Sequence, residues 1–553
     1  MTSQPYYDAA QLAAIQTDAA RAVVLSCAGS GKTRTLIGRV EELMRRGVAP
    51  QQIVTITYTQ AAGRVLQERL KCKIGYAGTL HAFCLRLLNQ HSALVGYSPG
   101  IGIVDDERKE SVLAQLKAAQ RYKGTEQQLE AALAAGAAVA GTARNLTPPE
   151  LVAHAYWRQL RTNNAMDFDM VLAAGKLLID KLRLRNEWPY AALFVDEMQD
   201  ASPQQAACYD AMPVRWRFSA GDAAQSIYSF LGGDVKNIMD EAGKCGAGVF
   251  RLETSYRCCK AVCAAATRLM AATGLRTLPR LEAPTGQATL AEYEDFQHEV
   301  KGIAQQIRAL DTEQSCAVLL RTNALAAEYA LALEAYGLPI SHRKDTGDPQ
   351  DWRMVKALLA CLVQPDNDLL AEGFIVALKG KEIAEESRRA AIAKQVSLNA
   401  HCLHFPCVES AADAVAYVVG KQPSAASQEK LLAVAGALEQ DATVGDLLVS
   451  LQDPVKHEAT PGVFCGTIHA SKGGEWDTVV LPAFEEGVIP SNRDAKDADA
   501  LAEAKRIAYV AFTRAKQNLL VSWSRTRRER FGRREAAEMQ PSRFAAEAGL
   551  VSA

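Results

Sequence analysis

The chain has 553 residues, with 62 Lys and Arg against 63 Asp and Glu and a formal net charge of −1. Its content is 48% hydrophobic and 23% charged, an ordinary globular composition that excludes disordered, collagen-like and disulfide-knotted classes. The length exceeds one hydrophobic core, so about three or four folding units are expected. With charges balanced, any nucleic-acid surface has to be a local basic region rather than a global field.

The start, MTSQPYYDAAQLAAIQ, lacks a charged segment followed by an apolar one, and no run of eighteen apolar residues occurs anywhere. Neither a leader nor a membrane span is expected. Thirteen cysteines without a CxxC pair fit reduced thiols, so the sequence predicts a cytoplasmic protein with no membrane partner. HCLHFPC (401–407) lacks the second ligand pair of a zinc finger or ribbon.

In chain order, RAVVLSCAGSGKTRTLIGRVEELMRRG reads as an apolar strand, a Gly/Ser turn and a helix. IVTITYT (53–59) is a β-branched run and a predicted buried strand. An alanine-rich helical stretch follows over about 91–184. AALFVDEMQD (191–200) and FSAGD (218–222) are further strands that end in acids. CAVLLRTN (316–323) opens a second group, a helical stretch spans about 371–460, and TVVLPAF (478–484) and NLLVSWS (518–524) complete the set. Strands alternating with amphipathic helices predict parallel α/β sheets, divided near residue 256. SRTRRERFGRRE (524–535) is the one dense basic run, and reads as a solvated face or a docking arm.

SCAGSGKT (26–33) fits a phosphate-binding loop with Ser26 in place of the first glycine. The N–H groups of Gly29, Ser30 and Gly31 would cradle phosphate at a helix N-terminus. Lys32 would reach the β- and γ-phosphates of ATP, and Thr33 would ligate Mg²⁺. Such a loop needs acids to hold the metal and activate water. LFVDEMQD supplies Asp196 for Mg²⁺ and Glu197 as general base. Charge developing on the γ-phosphate calls for cations, and Arg257 in TSYRCC and Arg514 in YVAFTRAK are the candidates.

The order of these segments resembles the superfamily 1A DNA helicases, the UvrD/Rep/PcrA family. DAAQLAAI is similar to the Q-motif, AGSGKTRTLIGR to motif I, TYTQAAGRVLQERL to motif Ia and GTLHAF to motif Ib. MDFDMVL resembles the stretch before motif II, and VDEMQDASPQQ resembles motif II itself. GDAAQSIYSFLGG is similar to motif III, LETSYR to motif IV, and LLRTNALAAEYALALEAYGLPI to the segment after it. GTIHASKGGEWDTVVLP resembles motif V, while EAKRIAYVAFTRAKQNLLVSWSRTR and PSRF resemble motif VI and the tail.

The resemblance implies two RecA-like parallel-sheet domains, each with a mainly helical insertion, and ATP held between them. It assigns domain 1A to 1–90 and 185–256, its insertion 1B to 91–184, domain 2A to 257–370 and 461–553, and a shortened insertion 2B to 371–460. By motif position Gln11, Arg39 and Tyr256 lie at the adenine, Glu475 near the ribose, and Arg257 and Arg514 are arginine fingers. Gln225 would sense the γ-phosphate, with Phe230 and Tyr228 as stacking surfaces for single-stranded DNA. Base stacking of that kind is worth roughly 1–3 kcal/mol and tolerates any sequence. Tyr58, His81 and His469 extend the expected DNA track.

Leu231, Gly474 and Trp476 depart from the family pattern without touching the hydrolytic set. The second insertion, about ninety residues, is about half the length that the resemblance implies. Two functions therefore stay open. One is a 3′–5′ translocase and helicase on single-stranded or tailed DNA, nucleoid-associated in a bacterium and acting in repair or defence. The other is a DNA-end-activated ATPase whose output belongs to a nuclease partner, as in Gabija-type phage-defence pairs.

Overall fold

The computed structural model describes residues 7–136, 146–227, 236–342, 349–451, 462–528 and 536–552, less a scatter of positions between 275 and 441. Two parallel sheets organise the chain, as the alternation of strands and helices predicts. The first has six strands in the order Tyr76–Gly78, Ile53–Ile56, Ala192–Val195, Trp216–Gly221, Arg21–Ser26 and Ala247–Leu252. Its central strands are apolar on both faces because helices cover both. Over one face lies the helix Lys32–Arg45, which buries Leu36, Val40 and Leu43 against Val24, Phe194 and Phe218.

The second sheet runs Ile340–His342, Val463–Thr467, Cys316–Leu320, Trp476–Leu481, Ala515–Arg528, Gln287–Asp295 and Val551–Ser552. A short strand, Ala536–Glu538, pairs antiparallel with the far end of Ala515–Arg528. One face of this sheet packs on the helix Ala498–Phe512, which Asp497 caps through the Ala500 N–H. The core on that face also takes in Ala28, Ala224 and Ile227 from the first domain. The root of the phosphate loop is thus buried in the hydrophobic core of the second sheet, and the two domains share an apolar cluster there.

The two helical insertions also share a core. Phe83 and Leu88 on the helix Leu80–His91, with Val104 and Tyr156, continue into Leu359, Leu362, Ala414 and Leu447 of the second insertion. The second helical block begins at Pro349–Val363, upstream of the expected position 371, because that helix packs with Asp368–Lys379 rather than on the second sheet. Gly445 brings the helix Val444–Ser450 so close to Leu80–His91 that a Cβ there would lie 3.1 Å from Leu85 Cδ2. Polar contacts lock the same interface. Asn367 Nδ2 donates to the Asn163 carbonyl at 2.6 Å, and buried Arg108 donates to Glu372 at 2.9 Å.

Two other nitrogens of Arg108, Nε and Nη1, are buried without a hydrogen-bond partner. The pair therefore fixes the docking geometry more than it adds stability. Glu372→Ala, which leaves the guanidinium buried and uncompensated, is expected to cost about 3–5 kcal/mol. The double change Arg108→Met with Glu372→Leu is expected to be nearly neutral. Thermal and urea unfolding of the three chains checks both statements.

Candidate functional site

The phosphate loop follows from its strand and its glycines. Arg21–Ser26 ends at the loop, and Gly29 and Gly31 take φ of 73° and 77°, a region that side chains rarely enter. A Cβ on Gly29 would lie 2.6 Å from Arg257 Cβ, so the loop and the segment Ser255–Arg257 touch backbone to backbone. The Tyr256 N–H donates to the Gly29 carbonyl at 2.8 Å. The fourteen-residue helix Lys32–Arg45 then starts with its free N–H groups at the loop mouth. Ser30 Oγ is buried there with no hydrogen-bond partner, as suits a loop built for an anion.

Lys32 lies between two carboxylates. Its ammonium pairs with Glu197 and lies 3.8 Å from Asp196 Oδ1. Burial works against that charge, yet Glu197 and Asp196 outweigh it and hold the ammonium above its usual range. Glu197 is driven down to about 2, since Lys32 and Lys472 overcome its own burial. Burial raises Asp196. Thr33 Oγ1 donates to Asp196 Oδ2 at 3.3 Å, so the two oxygens expected at Mg²⁺ are neighbours. Glu197 has φ of 55°, a strained left-handed backbone that turns its carboxylate back toward Lys32.

Gln225 and Arg514 meet across the joint. Arg514 Nη2 donates to Gln225 Oε1 at 2.9 Å, and Gln225 Nε2 donates to Asp222 at 2.6 Å. The Arg514 guanidinium is buried and anchored on the carbonyls of Val510 and Gly474. Arg257 donates to Glu475 at 2.7 Å and to the Thr513 carbonyl at 3.2 Å. Glu475 is shared with Lys516 at 3.6 Å, and the two cations hold it below its usual range against the cost of burial. All five residues expected at the hydrolysing phosphate thus gather around one joint.

The base-binding expectations are placed less uniformly. Gln11 is buried, and its amide is committed to backbone: Nε2 donates to the Ser30 carbonyl at 2.9 Å and Oε1 accepts from the Asp8 N–H at 3.1 Å. Tyr256 donates its hydroxyl to Asp8 at 2.6 Å, which ties motif IV to the Q-motif. Arg39 stands apart from the loop mouth. It lies seven residues into the helix from Lys32, about 10 Å along the axis. Its buried guanidinium donates to the Ile15 carbonyl at 2.8 Å and packs on Trp216. Arg34, one residue after Thr33, is exposed and lies 4.8 Å over the Tyr7 ring, so it is the arginine nearer the loop mouth.

Of the DNA-track residues, Tyr58 faces the joint, with the Lys472 ammonium 5.9 Å from its ring centroid. His81 packs edge-on against Phe168, and burial lowers it to about 4. Burial also lowers His469 to about 4. Both rings are therefore neutral near pH 7. Tyr228 and Phe230 lie outside the described residues. Among the described residues no group of His, Cys, Asp and Glu is arranged to hold a metal by itself, and the thirteen cysteines are free thiols. Among the described residues, too, no helix is long and apolar enough to cross a membrane.

Sequence reasoning singled out neither Lys472, Gln199 nor Asp222. Lys472 bridges the domains, pairing with Asp200 at 2.5 Å and donating to the Gln225 carbonyl at 3.0 Å. Each lies inside a quoted motif; Gln199 and Asp222 signalled themselves only as polar residues at predicted strand ends, and Lys472 had no signal beyond its place in HASKGG.

Residues 7–245 match the UvrD/REP helicase N-terminal domain, and residues 433–526 match the UvrD-like helicase C-terminal domain. The chain belongs to the UvrD/REP helicase family. Among its relatives, the ATP-dependent DNA helicase PcrA of Bacillus subtilis is 25% identical over 633 residues, covering 97% of this chain and 85% of that protein. PcrA of Staphylococcus aureus and of Staphylococcus epidermidis are 23% and 24% identical with the same coverage. The first match spans five of the six strands of the first sheet, the second spans Val463–Thr467, Trp476–Leu481 and most of Ala515–Arg528 of the second sheet, and the gap between them holds most of the second helical block.

Two predictions follow from this geometry. Gly29→Ala has to adopt a left-handed backbone costing about 1–2 kcal/mol and also collides with Arg257. A fluorescent-nucleotide titration should show affinity lost by at least about tenfold. In a pH–rate profile, Glu197 at about 2 is too acidic to set the acid limb. Burial raises Asp222 and Asp200 to about 6, against Gln225 and Lys32 for the first and Lys472 for the second, with Glu197 adding to the rise in both. Their protonation removes the acceptors for Gln225 and Lys472, so ATP turnover should fall as pH drops through about 6 and hold between 7 and 8.

Proposed function

We propose that this protein is an ATP-driven DNA motor that hydrolyses ATP between its two sheets and moves along single-stranded DNA, separating duplex as it goes. One observation carries the reading: Lys32, Glu197 and Gln225 from the first domain meet Arg514 from the second in one connected polar cluster. The likeness to ATP-dependent DNA helicases along 97% of the chain supports it.

The loop N–H groups and Lys32 bind the phosphates, and the orphaned Ser30 hydroxyl gains a partner there. Thr33 and Asp196, two hard oxygen ligands side by side, suit Mg²⁺. When bound, that ion would neutralise charge on the phosphates. Glu197, fully ionised, takes a proton from the attacking water. Gln225 orients that water or the γ-phosphate, and Arg514 and Arg257 stabilise the charge that develops. Tyr256, between the loop and the Q-motif, offers a ring to the adenine. Hydrolysis removes the group that Gln225 and Arg514 both face, so the joint changes shape. Tyr58 and His469 lie on the DNA side of that joint, with Tyr228 and Phe230 next in sequence to Ile227. Movement is assigned as 3′ to 5′, in repair or defence in a bacterial cytoplasm.

A second reading is favoured by the short second insertion and its core shared with the first. In that reading the chain is a DNA-end-activated ATPase that unwinds poorly alone and works with a nuclease partner.

The test is steady-state ATPase with and without single-stranded DNA, beside Glu197→Gln, with unwinding of 3′- and 5′-tailed duplexes in the same buffer. DNA should stimulate hydrolysis, and Glu197→Gln should reduce it by about 10²-fold or more while leaving nucleotide binding intact. Unwinding of the 3′-tailed duplex supports the first reading. Stimulated hydrolysis without unwinding supports the second, and absence of hydrolysis by the unmodified chain refutes both.

A further inference from the structure

The catalytic base and the arginine of the other domain are joined by a chain of hydrogen bonds through two side chains that the chemistry above does not use. Gln199 is fully buried, and its Nε2 donates to Glu197 Oε2 at 2.6 Å and to Asp200 Oδ2 at 3.1 Å. Its Oε1 accepts from the backbone N–H of Asp222 at 3.0 Å. The Asp222 carboxylate, also buried, accepts from Gln225 Nε2 at 2.6 Å and from the Ala224 N–H at 2.9 Å. Gln225 Oε1 then accepts from Arg514 at 2.9 Å.

Donors and acceptors in this chain admit one arrangement. Two carboxylates accept only, so they draw the Gln199 amide N toward themselves and leave its oxygen for the Asp222 N–H. Asp222 likewise accepts only, which turns the Gln225 amide N inward and its oxygen toward Arg514, a pure donor. A flipped Gln225 would set an N–H₂ against a guanidinium. Gly221 belongs to the same device, since a Cβ there would run into Gln199 Oε1.

We propose that Gln199 and Asp222 are positioning residues that hold Glu197 in the first domain and Arg514 in the second in register, so that base and arginine reach the γ-phosphate together. The proposal rests on the site being ATP-hydrolysing, as argued above. Neither residue is assigned a contact with nucleotide, so nucleotide affinity should be indifferent to both.

The experiment is DNA-stimulated ATPase and fluorescent-ADP binding for the full chain carrying Asp222→Asn, Gly221→Ala, Gln225→Ala, and Asp222→Asn combined with Gln225→Ala. Asp222→Asn keeps shape but gives Gln225 a donor in place of an acceptor. Its kcat should fall by about tenfold to hundredfold, with KM and ADP affinity changed by less than about threefold. Gly221→Ala, whose Cβ meets Gln199 Oε1 and also Ile238 Cδ1 at 2.5 Å, should lower kcat likewise, with thermal unfolding run beside it to separate the Ile238 clash from the displacement of Gln199. In the Gln225→Ala background, Asp222→Asn should cause no further loss, because the link it serves is already cut. Full kcat in Asp222→Asn, or losses that add in the double variant along with weakened ADP binding, would overturn the proposal in favour of a role in folding alone. A parent chain that binds ADP but shows no DNA-stimulated hydrolysis would refute the functional reading and this proposal with it.

Discussion

One lysine ammonium held between two carboxylates sets the terms for everything around it. Lys32, Glu197 and Asp196 lie together in a largely buried site, with Thr33 on Asp196 and Gln199 on Glu197. Two negative charges against one positive leave the cluster short of cation, and a buried imbalance of that kind is costly. A bound magnesium–nucleotide would relieve it: Lys32 would turn to the phosphates, Asp196 and Thr33 would hold the cation, and Glu197 would be freed to act as base. The site is therefore built so that the charge balance of the resting state is provisional.

That constraint explains the architecture at the joint. Phosphate-loop residues sit where the core of the second sheet begins, with Ala28, Ala224 and Ile227 packed among its residues. Tyr509 of the second domain accepts a hydrogen bond from the Ala28 N–H at 3.2 Å, and Arg506 donates to the Ser226 carbonyl at 2.8 Å. The second domain thus grips the loop root and the segment after Gln225 directly. The loop root is packed against both sheets, and Lys472 touches both Asp200 at the joint and the ring of Tyr58, on the surface expected to meet DNA. The helical insertions stand outside this route. Their shared core and the buried Arg108–Glu372 pair make them one body packed beside the first sheet.

Much of this was legible in the sequence because the informative features are local. A phosphate loop needs a strand, two glycines and a helix start, all within a dozen residues. The strand at 53 announces itself by a β-branched run, and those at 192, 216, 316, 476 and 515 by short apolar stretches. Ala247–Leu252 and Gln287–Asp295 were not expected, since both are half-exposed and carry mixed residues. Tyr76–Gly78 is three residues long and gives no pattern to read. The start of the second helical block was displaced because Pro349–Val363 follows a strand of the second sheet in sequence but packs elsewhere. Arg39 and Arg34 lie on one helix, but seven residues of helical rise separate Arg39 from Lys32 and it is bonded to the Ile15 carbonyl, while Arg34 stays near the loop and over the Tyr7 ring. Gln199 and Asp222 were illegible for another reason. Their meaning lies in which atoms they connect, and no spacing rule encodes a hydrogen-bond chain through three segments.

The central claim is that hydrolysis needs both domains at one phosphate. Single-turnover hydrolysis of saturating ATP by Arg514→Ala, with single-stranded DNA present, measures it most directly. If Arg514 completes the site from the second domain, nucleotide still binds and the chemical step slows by about 10³-fold or more. A rate within about threefold of the parent chain would show that the chemical step does not use Arg514 from the second domain, and would contradict the account.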